Sequence, residues 1–465
     1  MSSPVFRSRG TLAPMLLLAL PVLAEQTLTM LVGYVDWWLT GHYLEGPSYK
    51  AAMGLMAYVL WLFPVMFTAV ASGATAMVAR FSGAGRTAAA AVATNQAILA
   101  GAVLSLVVTL LSWALARPFV AAMRLESEAA QLALQYILIM VPVLPAVMME
   151  QVGLACLRAA GDTVSGLAAK AVVNLLNVTI SFALLTGWGP FPEMGWRGLA
   201  VGTAVSHCIG GSIMLVLLLA GRFGLKLRWR WMRPQLDIIR RMMRIGIPGG
   251  LEMLSVLACH LVYVGIINSM GTAAAAAHGL GVMIESLAYL PGSAFQVAAT
   301  TLAGQYLGAR DRRRAARSAW LCCLVGGGVM SLAGCAFFFL PGPLTAFFTR
   351  GPGDETARMT VPLLQLVALT MPSLALTMIL TGALRGAGDT RWPLAFTFIG
   401  FLGVRIPLAC LLAWPEVPLP WSDVVITGFD LGVWGAWCAM LIDVVLRSAL
   451  VAARFLQGGW TRVKV

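Results

Sequence analysis

Six carboxylates stand inside long apolar runs of this 465-residue chain: Glu25, Asp36, Glu150, Glu252, Glu285 and Asp443. An acid surrounded by apolar residues must take a proton, hold a cation or meet a base, because an isolated buried charge is too costly. Glu25 and Asp36 are eleven residues apart. At about 100° per residue they share one helix face, about 16 Å apart along its axis. Glu252 and Tyr263 repeat that spacing further on. Asn174, Asn177 and Ser181 follow at steps of three and four, one stripe of a helix, and Thr203 adds another oxygen. An oxygen-rich stripe beside a lone acid can hold a hard cation or a proton-linked hydrogen-bond network. His260, about 80° round from Glu252 on a helix, joins Tyr263 and Glu285 in a looser second set. Glu150 and Asp443 are assigned no partner and are further candidates to line a cleft.

Other chemistry is absent from the pattern. The chain carries no Gly-x-x-x-x-Gly-Lys-Ser/Thr phosphate loop, no His-Glu-x-x-His and no Gly-x-Ser-x-Gly element. Its eight cysteines lie in apolar runs, and only Cys322-Cys323 are adjacent. They read as inert thiols. No cofactor, no structural metal and no enzyme activity are expected, and any driving force must come from an ion gradient.

The elements that position these groups follow from composition. The chain is 59% apolar and 11% charged, against roughly 45–50% and about 25% in soluble domains. A soluble monomer of this kind would expose large apolar patches, and a disordered chain would be poor in hydrophobics. Lipid is the remaining solvent. Apolar runs long enough to cross a bilayer lie near 12–40, 51–79, 88–116, 129–156, 164–187, 198–221, 245–269, 276–304, 315–347, 360–384, 391–413 and 430–453. Arg7, Arg9 and the apolar stretch after them resemble a signal peptide, but the run continues past Leu31, so it reads as a retained first helix.

The net charge of +13 suggests an anionic partner until the charges are located. With both termini inside, 25 of the 32 basic residues fall in cytoplasmic segments, from Arg7, Arg9, Arg80, Arg86, Arg158 and Lys170 to Arg447, Arg454, Arg462 and Lys464. Lys50, Arg117, Arg124, Arg197, Arg350 and Arg358 fall outside, and Arg405 falls within a span. This is the positive-inside pattern. It implies a multi-pass protein of the cell (inner) membrane with no nucleic-acid partner.

Leu157-Arg158-Ala159-Ala160-Gly161-Asp162-Thr163 recurs as Leu384-Arg385-Gly386-Ala387-Gly388-Asp389-Thr390, an offset of 227. The same offset maps Pro21 onto Pro248, Glu25 onto Glu252 and Pro145 onto Pro372. Two six-helix halves follow, entering the membrane in the same sense: an N-lobe over 1–221, a basic cytoplasmic loop over 222–244 and a C-lobe over 245–465. The repeated motif reads as a structural corner. Arg158 and Arg385 would meet helix carbonyl ends, the glycine would reverse the chain, and Asp162 and Asp389 would cap the next helix.

Together these residues resemble the multidrug and toxic compound extrusion (MATE) family. The resemblance is carried by Val35-Asp36-x-x-x-x-Gly41-His42, the twofold Leu-Arg-x-x-Gly-Asp-Thr, Asn174-x-x-Asn177, and the Gly195-x-x-Gly198 and Gly432-x-x-Gly435 helix entries. It implies an all-α, V-shaped transporter of twelve membrane helices in two bundles related by a parallel repeat. It further implies antiport, in which H⁺ or Na⁺ enters as an organic, cationic and lipophilic compound leaves. Asp36 and Asn177 then belong to an N-lobe cation site, with Asn174, Ser181 and Thr203 beside them and a transient Na⁺ as one occupant of Asp36. Glu25, Glu252, His260, Tyr263 and Glu285 are the candidates for the substrate cleft.

Ser181 departs from the Asp or Asn of many prokaryotic relatives. Val256 and Leu374 stand where the NorM-type branch places its C-lobe acids, which likens the chain to the DinF-type branch and its N-lobe coupling. Glu252 and His260 are the candidates to replace the missing C-lobe site. The expected partners are the lipid bilayer and a small organic substrate, with the protein acting as a monomer. Alternatives are a flippase for a lipid-linked precursor, which needs a strongly cationic cleft, and a membrane-embedded enzyme.

Overall fold

The computed structural model describes residues 10–349, 354–418, 425–463 and 465. Arg7, Arg9, Arg350 and Lys464, counted above in the charge pattern, lie outside the described residues. Twelve helices are long and apolar enough to cross a membrane. In chain order they are Leu12–Tyr43, Pro47–Met66, Thr87–Ala122, Ser127–Ala160, Val164–Thr186, Trp196–Leu219, Leu236–Asn268, Thr272–Gly308, Arg312–Phe339, Glu355–Gly386, Arg391–Ala413 and Gly432–Leu456, called here the first to twelfth spans. They form the two-lobed, all-helical architecture expected from the repeat.

Departures from the expected runs have local causes. The second span stops at Met66, because Pro64 inside it lacks an N–H, and the chain resumes as helix Thr68–Gly83. The ninth span ends at Phe339, since Leu340 precedes Pro341, and a short helix Pro341–Phe348 follows. The basic segment over 222–244 is not all loop. Asp237 stands in the first turn of the seventh span, and Leu236, Ile238, Ile239, Met242 and Met243 carry an amphipathic pattern back to its start. In the eleventh span a π-helical stretch, Ile399–Arg405, separates two α-helical segments. A small hairpin missed in the sequence pairs Glu416–Pro418 antiparallel with Val425–Thr427 before the twelfth span.

The repeated corners behave as turns, with Gly161 at φ 99° and Gly388 at φ 87°, left-handed conformations that favour glycine. Asp162 caps as expected, its Oδ1 accepting from the Ser165 N–H at 3.0 Å. Arg158 and Arg385 stand in the last turns of their helices, but their side chains reach carboxylates: Arg158 Nη2 lies 2.6 Å from Glu25 Oε2, and Arg385 Nη2 lies 2.9 Å from Glu252 Oε1. A charge-assisted pair neutralises a buried carboxylate, which a carbonyl array cannot do. Asp162 and Asp389 are in turn bound by Arg222 and Arg454.

The lobes meet at the end where the arginines gather. Gln305 donates to the Ala159 carbonyl at 2.8 Å, Thr301 to the Arg158 carbonyl at 3.1 Å and Arg80 to the Ala387 carbonyl at 3.0 Å. Glycines permit the approach. A Cβ on Gly83 would strike the Gln305 backbone, on Gly246 the Ala69 carbonyl and on Gly308 the Arg80 carbonyl. The start of the first span joins this seam, since Met15, Leu18 and Ala19 are buried in one core with Phe295, Ala299 and Leu302 of the eighth. Away from this basic end, the inter-lobe ring contact among the described residues is Trp61 against His260, edge to face at 6.1 Å.

Candidate functional site

The fifth span delivers its polar stripe to the interior of the first bundle, where Asn174, Asn177 and Ser181 are all buried. It packs between the first and sixth spans, which bring Asp36 and Thr203 to the same region. Asn177 Nδ2 donates to Thr203 Oγ1 at 3.1 Å, and Thr203 Oγ1 lies 3.0 Å from the Tyr136 hydroxyl. Tyr136, on the fourth span, completes the group, and the charge of Asp36 reaches its hydroxyl. The sequence did not single out Tyr136, because no periodic signal links it to the others. Ser181 is fully buried against Gly202, where a Cβ would strike its Oγ, so a glycine on the sixth span makes room for the hydroxyl.

The distinctive property of this group is unsatisfied polarity. Nine buried side-chain N or O atoms lack a hydrogen-bond partner among the described residues, and four belong here: Asp36 Oδ1, Asn174 Nδ2, Asn177 Oδ1 and Ser181 Oγ. Buried polar atoms are ordinarily paired, so a cluster of orphans marks a place built for something else. Three orphan oxygens, one of them on the Asp36 carboxylate, suit a proton or a hard cation.

A second site lies in the C-lobe. A cavity of about 570 Å³ is lined by Glu252, His260, Tyr263 and Glu285, the four second-half residues expected at a cleft. Glu252 is held there by Arg385 and by Thr397 Oγ1 at 3.4 Å. Tyr263 is buried with its hydroxyl unpartnered and its ring 5.8 Å from that of His278. Glu285 has no ion-pair partner within 4.0 Å among the described residues, though the charge of Arg405 reaches it. Sequence reasoning missed Arg447 and the π-helical stretch that turns Phe401 and Arg405 into the cavity. Arg405 Nη2 and Arg447 Nε each lie 2.7 Å from Asp443; Arg447 is four residues on in the same helix, a spacing that could have found it. Arg447 therefore belongs to the lobe interior, not to the free basic surface. Lys170 is corrected likewise: it pairs with Glu150 at 3.0 Å inside the N-lobe.

The two sites are separate. Asp36 and its neighbours do not line the C-lobe cavity, to which Trp61 is the first half's contribution. Glu25 stands apart from both, tied to Arg158, so it does not open to the cavity. Among the described residues no group of three or more His, Cys, Asp or Glu is placed to hold a metal ion.

Comparison with known proteins identifies the family and the fold. The MatE family model matches the chain twice, over residues 21–183 and 248–411, the same offset of 227 at its start. The chain is 32% identical over 455 residues to a "Probable multidrug resistance protein NorM" of Thermotoga maritima, covering 96% of this chain and 92% of that protein. It is 25% identical to "Multidrug resistance protein PmpM" of Pseudomonas aeruginosa, covering 97% and 94%. Among solved structures, an outward-facing multidrug resistance MATE family transporter superposes with a TM-score of 0.84 at 17% identity, covering 97% and 96%. A MOP superfamily transporter from Pyrococcus furiosus, described as having a binding pocket of reverse polarity, superposes with a TM-score of 0.85 at 18% identity, covering 97% and 96%. The chain belongs to the MatE family, and it is a membrane transporter and not an enzyme.

Proposed function

We propose that this protein is a secondary antiporter that exports organic, cationic and lipophilic compounds in exchange for H⁺ or Na⁺, with coupling centred on Asp36. The observation that carries the reading is the knot of orphan atoms around Asp36, Asn174, Asn177 and Ser181. An ion bound there completes their coordination and neutralises the acid. Two lobes, 1–221 and 245–465, rock about the basic seam formed with 222–244. The arginine-rich end faces the cytoplasm of the inner membrane, and the lobes, in contact at that end, leave the cleft facing outward. In this state Asp36 takes its ion and the substrate leaves. Ion release inward restores a charged N-lobe that favours a cation. Ion and substrate thus stabilise different states, which is what coupling requires.

The relatives' names supply the multidrug element, and the absence of acids at Val256 and Leu374 favours the N-lobe as the coupling centre, as in the DinF-type branch. The protein works as a single chain without a resident cofactor. The flippase reading calls for a strongly cationic cleft. Arg385, Arg405 and Arg447 line the cavity, but Glu252, Glu285 and Asp443 balance or neighbour them, so the cation exporter is preferred. The test is counter-transport in proteoliposomes with Asp36→Asn. Loss of gradient-driven export with retained folding supports the proposal; full retention of export overturns it.

A further inference from the structure

Glu150 has no place in the mechanism so far, yet it is buried at the meeting of three spans. Its Oε2 lies 3.0 Å from Lys170 Nζ and 3.0 Å from His207 Nδ1, while its Oε1 is buried with no partner. The fourth span supplies the acid, the fifth the lysine and the sixth the histidine. Gly210, one turn beyond His207, admits the carboxylate, since a Cβ there would strike Glu150 Oε1. A lysine alone would suffice to neutralise the acid; the histidine adds a group that can take up and release a proton.

The triad is aligned with the Asp36 group. Thr203 and His207 are four residues apart on the sixth span, about 6 Å along one face. Lys170, Asn174, Asn177 and Ser181 form one continuous stripe of the fifth at steps of four, three and four. The triad lies at the lower end of that stripe, one to two turns nearer the basic end than Asn177 and Thr203. Asn174 stands between, its Nδ2 also unpartnered. The internal repeat says what kind of place this is. The offset of 227 carries Glu150 and Lys170 to Thr377 and Thr397, and the offset of 237 between Gly198 and Gly435 carries His207 to Val444. All three counterparts line the C-lobe cavity. The triad therefore occupies the N-lobe position that in the second lobe faces open space.

We propose that Glu150, Lys170 and His207 form a second proton-holding station, on the route between the Asp36 group and the basic end. The proposal rests on the antiport reading above and assigns H⁺ as the coupling ion. In the unloaded state neutral His207 donates its Nδ1–H to Glu150, and Nε2 keeps a lone pair. One proton from the Asp36 side is taken by Nε2. Glu150 stays ionised and holds the imidazolium, Lys170 stays protonated, and the same single proton leaves Nε2 toward the basic end. No other atom is exchanged. The charged and titratable groups around His207 are Glu150 and Tyr136 from the fourth span, Lys170 from the fifth and Cys208 beside it on the sixth. On the first span Asp36 stands by Tyr136, and Glu25, held by Arg158, lies beside Gly166 one turn before Lys170; Arg222 is engaged by Asp162 and Ser165.

The test is proton-driven transport of ethidium in proteoliposomes, read as a rate against internal pH between 6 and 8. A wild-type rate limited by a titrating group changes by up to about tenfold per pH unit along the limb of its profile. In His207→Gln that dependence falls below about twofold over the range. Glu150→Gln, which keeps the side chain's shape, flattens the profile too, so a folding defect in either variant leaves the other informative. A purely structural triad would lower thermal stability and leave the profile's shape intact. The chain has four histidines, so ring ¹⁵N spectra give an independent reading: a signal lost in His207→Gln should titrate while keeping its Nδ1 proton. A folded variant with the wild-type profile overturns the station. Absence of proton-driven transport in the wild type overturns the H⁺ assignment and leaves Na⁺-coupled antiport standing; absence under both gradients overturns the antiport reading itself.

Discussion

At the scale of single residues, the molecule sorts its buried acids by whether they have a base. Glu25 has Arg158, Glu252 has Arg385 and Asp443 has both Arg405 and Arg447. Asp36 and Glu285 have none within 4.0 Å among the described residues; of the two, Asp36 stands with the orphan atoms of Asn174, Asn177 and Ser181, and that is the reason to place ion exchange there. Removing the base from a paired acid should be costly. Arg158→Leu leaves Glu25 buried and uncompensated, and a loss of about 3–5 kcal/mol is expected from thermal or denaturant unfolding in micelles. Adding Glu25→Gln should recover most of it. By contrast Asp36→Asn removes an unpaired charge and should leave stability unchanged or raised; a loss of several kcal/mol would mean that the acid has a structural partner. Tyr136→Phe removes a hydroxyl shared with Thr203 and should weaken ion-driven export several-fold, an effect of about 1 kcal/mol on the transport rate.

At the scale of elements, the spans were legible because each is a long apolar run, and the bundle halves because the repeat preserves its corners at a fixed offset. The stripe Asn174–Asn177–Ser181 was legible for the same reason: a single helix puts its own spacing in the sequence. What escaped are relations between helices. Tyr136 with Thr203, the Glu150–Lys170–His207 group and Arg405 with Asp443 join side chains 20 to 67 residues apart on facing helices, and no periodicity encodes such adjacency. The π-helical stretch depends on local hydrogen-bond choices that composition does not reveal, whereas the break at Phe67 has a visible cause in Pro64. Helix contacts themselves make a prediction. Gly202→Val would drive a side chain into Ser181 and the fifth-span backbone, and overpacking of about 1–3 kcal/mol is expected in unfolding measurements.

At the scale of the whole molecule, the inter-lobe hydrogen bonds named above lie toward the basic end, so closure there is a matter of backbones brought close by glycine. Gly246→Val places branches against the Ala69 carbonyl and should bias the lobes apart at that end. Spin labels at Arg86 and Arg310 should then report a longer distance population than in the wild type; an unchanged distribution would mean that the seam is not the gate. The most direct test of the account follows ion movement itself. Vesicles holding the purified protein and an internal pH dye, with Na⁺ followed in parallel, receive substrate without any imposed gradient. The account predicts that substrate moving one way drives H⁺ or Na⁺ the other way, and that Asp36→Asn abolishes the ion signal. Substrate flux without ion flux, or an ion flux untouched by Asp36→Asn, would contradict it.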